Sequence, residues 1–200
     1  MLAAEVLGYR IPRFILNWDM FRAPLRSGFE LRLLEERHAS AVFAAVNKER
    51  ERLREWLPWV DATLTEDDVL AFIRSSLEQF AANNGFAAGI WNHDSYIGNI
   101  GTHKIDWLNR RVEIGYWLSH SFQGMGLVTE ASRTVVTHAL GELGLNRVEI
   151  HCAAGNTKSA AIPRRLGFTL EGTIREGQLL NGRYHDILLF SMLKREWAKI

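Results

Sequence analysis

The chain has 200 residues, enough for one domain or one domain with an appendage. Its 47% hydrophobic and 24% charged content is ordinary for a globular protein and excludes disorder, collagen-like repeats and low-complexity structure. Lys and Arg number 24 against 23 Asp and Glu, so a net charge of +1 gives no global attraction for nucleic acid, and the single cysteine, Cys152, excludes a disulfide framework or a multi-cysteine zinc site. No apolar run approaches the ~18 residues of a membrane-spanning helix. Glu5, Arg10 and Arg13 interrupt what would be the apolar core of a secretory signal, so a cytoplasmic protein is expected.

Residues 1–27 read as an N-terminal extension. Ile11, Phe14, Ile15, Trp18 and Phe21 offer an apolar face, but Pro12 and Pro24 break any long helix. Either translation starts at Met20, or the segment is an ordered arm at an oligomer contact, which makes a homodimer one expected assembly. From residue 28 to 200 the pattern is that of one domain. Phe29–Leu34 alternates as a half-buried strand does. Arg37–Leu57 predicts a helix with Ala41, Ala44, Ala45 and Val46 inward, ended by Pro58. Thr65 and Asp68 have capping-box spacing at the start of a second helix, with Val69, Phe72, Ile73, Leu77 and Phe80 at helical intervals.

Three strands follow, Phe86–Trp91, Tyr96–Ile105 and Arg111–Leu118, joined by short polar turns. A helix over Leu127–Leu143 ends at Gly144. Arg147–Cys152 predicts a strand, Asn156–Leu166 a helix, and Phe168–Gln178 a strand. Asn181-Gly182 is a two-residue hairpin signal leading into Tyr184–Leu193. The order βααβββαβαββ describes a mixed α/β (α+β) fold rather than the steady alternation of a doubly wound nucleotide fold.

The stretch from Glu113 to Ala131 carries the chemistry. A strand enters a glycine-containing turn, Gln123-Gly-Met-Gly-Leu-Val128, which opens into an amphipathic helix. Unpaired amides of the first helical turn and the helix dipole make an anion site, and Gly124 and Gly126 let a phosphate approach the backbone. Taken alone, Gly-x-Gly is equally a glycine-eased turn that binds nothing. A dinucleotide fingerprint needs a third glycine where Thr129 stands, and the Gly-Lys-Ser/Thr of a P-loop is absent.

This loop resembles the pyrophosphate loop of the Gcn5-related N-acetyltransferases, Gln/Arg-x-x-Gly-x-Gly/Ala, with Val128 as a departure at the last position. Glu113-Ile-Gly-Tyr-Trp117, Asn156-Thr-Lys-Ser159, Arg165-Leu-Gly-Phe168, Leu53-Arg-Glu-Trp-Leu-Pro-Trp59 and Leu180-Asn-Gly-Arg-Tyr-His-Asp186 look like the branch of RimJ and RimL ribosomal-protein N-acetyltransferases. The likeness covers about residues 28–197. It implies a GNAT-like, mostly antiparallel sheet, flanked by helices and splayed between Glu113–Leu118 and Arg147–Cys152. The pantetheine arm of acetyl-CoA, the cosubstrate, would lie in that gap as an extra strand. Trp117, Leu118, Gln123, Gly124, Met125, Gly126, Leu127, Val128, Asn156 and Ser159 are the implied cofactor-binding positions. No metal is implied.

Direct attack of a neutral amine on a thioester needs a deprotonated amine, oxyanion donors and a proton for the leaving sulfur. Backbone amides near Trp117 and Leu118 suit the carbonyl. The resemblance makes Ser159, in a helix capped by Asn156, the acid; an ordinary first-turn serine is the alternative. Pro163 lacks the N–H that would reach the Ser159 carbonyl. In the RimL type the proposed base is a glutamate where this chain has Gln178, which does not take a proton at neutral pH. Glu113 is the preferred base and Glu176 a weaker one. Trp56, Pro58 and Trp59 read as an aromatic wall at the substrate cleft, with Trp107 and Trp117 as further members and Gln178 and Tyr184 on the acceptor side; core anchoring is the competing role for the tryptophans. His185 and Asp186 are adjacent on a strand and point to opposite faces, against a dyad. His38, His93, His103, His120, His138 and His151 show no metal spacing. Cys152 reads as a buried small hydrophobe.

The expected function is transfer of acetyl from acetyl-CoA to a protein N-terminal amine of ribosomal type. A small amine such as a polyamine, or a non-catalytic acyl-CoA-binding module, are the alternatives. The expected partners are acetyl-CoA and the acceptor amine, with no direct contact to nucleic acid or membrane.

Overall fold

The computed structural model describes residues 22–26 and 28–199. The apolar positions from Ile11 to Phe21 lie outside the described residues. The chain runs β1 (Arg22–Pro24), β2 (Phe29–Leu33), α1 (Ala39–Leu53), α2 (Glu66–Ala81), β3 (Ala87–Asn92), β4 (Ser95–Thr102) and β5 (Arg111–Leu118). It continues through α3 (Leu127–Gly141), β6 (Arg147–Ala153), α4 (Thr157–Arg165), β7 (Thr169–Leu180), β8 (Arg183–Leu193) and α5 (Lys194–Trp197). The expected order is present, with two additions. β1 pairs antiparallel with β2, so the sheet begins inside the segment read as an extension, and a short helix follows β8.

Eight strands form one sheet in the order β1-β2-β3-β4-β5-β6-β8-β7. All neighbours are antiparallel except β5 and β6. Those two are parallel and pair only over Arg111–Glu113 with Arg147–Glu149. Beyond that point their facing edges are unbridged, and the sheet splays open. The opening lies where the resemblance implied it.

Two cores flank the sheet. Val112, Ile114 and Leu118 of β5 and Val148, Ile150 and Cys152 of β6 pack with Leu127, Ala131, Val135 and Ala139 of α3 and Ala160 and Ile162 of α4. On the opposite face, Trp117 packs with Val42 and Val46 of α1, Val69 and Ile73 of α2, and Trp91 and Tyr96. Side chains alternate across a strand, so Glu113 shares the face of Trp117, while Glu149 and His151 point away from the α3 side. This division of β5 and β6 decides what each wall of the gap carries.

The helix assignments need local correction. α1 stops at Leu53 and a 3-10 turn, Pro58–Ala62, follows, because the Arg54–Leu57 segment precedes a proline. Its buried stripe is Ala39, Val42, Val46 and Leu53, whereas Ala41 and Ala44 face solvent; the i,i+4 valines bury more apolar area than the alanines and set the phase. In α2 the capping box is present: the Thr65 N–H donates to Asp68 Oδ2 at 2.8 Å and the Asp68 N–H to Thr65 Oγ1 at 3.3 Å. Val69 and Ile73 are buried, but Phe72 and Phe80 are exposed at the edge of the same stripe. Asn181 and Gly182 both take positive φ, 50° and 73°, the backbone a type I′ hairpin requires.

Candidate active site

A cleft of about 2210 Å³ runs through the splay. That exceeds the ~300–1,000 Å³ of a pocket for one small ligand and suits a site that takes two substrates. Its walls come from both faces of the sheet.

Every expected cofactor-binding position lines the cleft: Leu118, Gln123, Gly124, Met125, Gly126, Leu127, Val128, Asn156 and Ser159, with Trp117 on the opposite face of β5. Gly124 and Gly126 have φ of 79° and 78°, a left-handed conformation that side chains resist. Gly126 is the N-cap of α3, and no side chain caps that end. The first intrahelical bond there runs from Glu130 N–H to the Gly126 carbonyl at 3.1 Å. The amides of Leu127, Val128 and Thr129 therefore have no intrahelical acceptor and face the cleft end of the helix.

Cations converge on this nest from two other elements. Arg26, between β1 and β2, donates from Nη1 to the Met125 carbonyl at 2.6 Å and from Nε to Glu130 at 2.8 Å. Arg165 of α4 donates to Thr129 Oγ1 at 2.9 Å, and Lys158 to Gln123 Oε1 at 3.2 Å. Free amides, a helix dipole and three cations fit a diphosphate-bearing ligand. Gln123 has a second tie, Nε2 to the Leu118 carbonyl at 3.5 Å, so it fastens the loop to the end of β5. Val128, the departure from the family pattern, packs against the core and leaves its backbone amide available.

Further along this wall, Asn156 Oδ1 accepts from the Ser159 N–H at 3.1 Å, the expected cap of α4. Pro163 leaves the Ser159 carbonyl without its helical donor, and the Tyr116 hydroxyl supplies the missing bond at 3.1 Å. Burial pushes the Tyr116 phenol well above its usual range, so it remains a donor. Cys152 is buried beside Ser159. Burial raises its thiol, against the opposing pull of Arg164 and the Ser159 hydroxyl.

The opposite wall is built of side chains. Glu113 Oε2 is 3.3 Å from His151 Nδ1, and its Oε1 is 3.7 Å from His103 Nε2. His151 Nε2 is 3.2 Å from Glu149 Oε2, and Glu149 accepts from Arg147 Nε at 2.6 Å. Arg147 also donates to both carboxylate oxygens of Glu171, which holds that carboxyl down at about 2. Trp56 and Trp59 line the cleft, as does Gln178. Trp56 lies against Gly155 and meets His185 edge-on at 6.2 Å, linking the end of α1 to the start of α4 and to β8.

Two expected members are not in the wall. Tyr184 is 61% exposed and outside the lining, because β8 turns it outward at the tip of the hairpin. Trp107 is likewise outside the lining, with Nε1 donating to the Asn83 carbonyl at 2.8 Å. Asp186 accepts from the Glu176 N–H at 2.8 Å while His185 faces Trp56, so the adjacent pair acts separately. Among the described residues, no group of three or more His, Cys, Asp or Glu side chains is arranged to hold a metal ion.

Sequence reasoning missed Tyr116, Arg26 and the linkage of His151 to Glu113. Tyr116 had a signal, since the proline in α4 announces an orphaned carbonyl that needs a donor. The other two depend on strands and loops distant in sequence.

Comparison with known proteins matches this geometry to one family. A GNAT acetyltransferase domain model matches residues 29–169. The chain is 39% identical to the putative ribosomal N-acetyltransferase YdaF of Bacillus subtilis, over 89% of this chain and 98% of that one. It is 29% identical to the ribosomal-protein-serine acetyltransferase of Escherichia coli, over 82% of this chain and 92% of the relative. The solved structure of RimL, the ribosomal L7/L12 α-N-protein acetyltransferase in complex with coenzyme A, superposes with a TM-score of 0.83 at 27% identity, covering 86% of this chain and 97% of that one.

Proposed function

We propose a protein N-terminal α-amine as the acceptor, on the premise that the chain belongs to the GNAT acetyltransferase family. It is an N-acetyltransferase that uses acetyl-CoA. The observation that carries the acceptor assignment is the likeness along nearly the full length of relatives named for ribosomal acetylation. A ribosomal-protein acceptor also places the reaction in the cytoplasm.

Acetyl-CoA supplies an activated acyl thioester. The amide nest of Leu127, Val128 and Thr129, with Arg26, Lys158 and Arg165 around it, holds the diphosphate. The unbridged edge of β5 around Trp117 and Leu118 offers backbone donors to the extended arm and to the developing oxyanion. Ser159, held by Asn156 below and Tyr116 above, gives a proton to the departing sulfur.

Glu113 takes the proton of the acceptor ammonium from the other side of the sheet. Base and acid then stand on opposite faces of one gap, with the acetyl carbonyl between them. An α-amine, with a pKa near ~8, is partly neutral at pH 7, whereas a lysine side chain near ~10.4 is almost wholly charged. A single carboxylate base suits the former. Trp56, Trp59 and Gln178 would flank the first residues of the peptide.

Free-thiol release with a panel of amines tests this reading. Peptides with a free N-terminal serine or alanine should turn over, and N-terminally blocked peptides with an internal lysine should not. Turnover of the blocked peptides at a comparable rate would overturn the α-amine assignment.

A further inference from the structure

For each acetyl group transferred, the C–N bond forms, the C–S bond breaks and coenzyme A leaves as the thiol. An acceptor that arrives as an ammonium gives up two protons. One ends on the thiol, and the other leaves through the base. Glu113 therefore needs an outlet.

The groups facing Glu113 supply one. His151 on β6 presents both ring nitrogens to carboxylates, Nδ1 to Glu113 at 3.3 Å and Nε2 to Glu149 at 3.2 Å. Neutral imidazole has one N–H and one lone pair, so it donates to only one of the two carboxylates and keeps its other nitrogen free to take a proton. Glu149 is the better acceptor. Arg147 Nε lies 2.6 Å from it and Arg111 Nη1 3.8 Å, so it sits beside two cations. With Nε2–H directed at Glu149, Nδ1, 3.3 Å from Glu113, is the nitrogen left without a proton. The remaining charged neighbours are His103 on the loop after β4, at 3.7 Å from Glu113, and Glu171 on β7, which is occupied by Arg147. On β8, the residue opposite His151 is the uncharged Leu189. The His151 side chain is 28% exposed, enough to release a proton to water.

We propose that Glu113 and His151 form one proton acceptor, with Glu149 fixing the imidazole tautomer and Arg111 and Arg147 fixing Glu149. A proton taken from the amine by Glu113 moves to Nδ1. The resulting imidazolium is held between two carboxylates until it discharges to solvent. His151 is thus a positioning and relay residue that acts through Glu113, and the inference rests on Glu113 being the base.

The test combines kinetics and nitrogen-15 NMR of histidine-labelled enzyme. With acetyl-CoA and a peptide bearing N-terminal serine, H151Q should lower kcat at least about tenfold, within the range of acid–base contributions. The KM for acetyl-CoA should stay within about twofold, and the ascending limb of the pH–rate profile should move to lower pH, because a lone carboxylate loses its proton more readily than an imidazole. E149Q should move the same limb by less. On the alkaline side of its titration, His151 should carry its proton on Nε2 in the wild type and lose that preference in E149Q. Wild-type kcat and pH profile in H151Q, or a proton on Nδ1, would overturn the relay. If E113Q keeps wild-type kcat, the base assignment fails instead. The tautomer measurement needs no turnover, so it separates the two failures.

Discussion

The two walls of the splayed sheet are built from different materials. The cofactor wall is mainly backbone: unpaired amides at the start of α3, the free edge of β5, and a carbonyl at Ser159 re-satisfied by Tyr116. The opposite wall carries the side chains of His103, Glu113 and His151, backed outside the cleft lining by Glu149, Arg147 and Glu171. A backbone site is fixed by where a strand ends and a helix begins, so it tolerates side-chain change such as Val128. A side-chain network is fixed by the register of strands that are far apart in sequence. It can be retuned one residue at a time, which suits the half of the site proposed to receive the acceptor.

Substitutions that separate binding from turnover sharpen this contrast. The largest effect is expected at the acceptor wall. E113Q should lower kcat by about a hundredfold or more, with the KM for acetyl-CoA nearly unchanged; wild-type kcat in steady-state assays would remove the carboxylate as base. S159A comes next, with a fall in kcat of about tenfold and little change in coenzyme A affinity measured by calorimetry. A matching loss of affinity would make Ser159 a binding residue instead.

G126A addresses the backbone wall. A Cβ at φ 78° costs about 1–2 kcal/mol and meets Arg26 Nη2 at 3.3 Å. The KM for acetyl-CoA should rise about tenfold with kcat close to wild type, the reverse of the E113Q pattern. Y116F removes the donor to the Ser159 carbonyl. The Ser159 carbonyl is half-buried, so losing its donor should cost about 1 kcal/mol, lower the midpoint of thermal unfolding slightly and reduce kcat a few-fold.

The smallest effect is at the far end of the acceptor network. Glu171 is held at about 2 against an ordinary 4.5, first by Arg147 and then by Ser191. A depressed carboxylate stabilises the fold above its unfolded pKa. That contribution is lost as pH falls from about 4.5 through about 2. E171Q should flatten the fall in stability across this window, as read from urea midpoints. The pair is partly exposed, so solvent screening keeps the change modest.

The same contrast accounts for what the sequence made legible. Alternation, caps and turn residues sufficed for the strands, for Thr65 and Asn156 as caps and for Asn181-Gly182 as a hairpin, because each depends on neighbours within a few residues. The glycine loop was legible for that reason too. The phase of α1 departs from the alanine-based expectation because Val42 and Val46 bury more surface than Ala41 and Ala44. Phe72 and Phe80 have helical spacing, yet they sit at the edge of the α2 stripe where partners run out. Tyr184 matches a motif, but the tip of a hairpin faces solvent. His151 was invisible as a site residue because Glu113 meets it only through the parallel pairing of β5 with β6, which ends at Glu113 and Glu149, just before His151.

The most direct test of the account is a competition between acceptors, read by mass spectrometry of intact products. A peptide with a free N-terminal serine and an internal lysine is mixed with spermidine and limiting acetyl-CoA. The account predicts acetyl on the peptide α-amine, none on lysine, and little on spermidine. Preferential acetylation of spermidine, or of the lysine side chain, would contradict it.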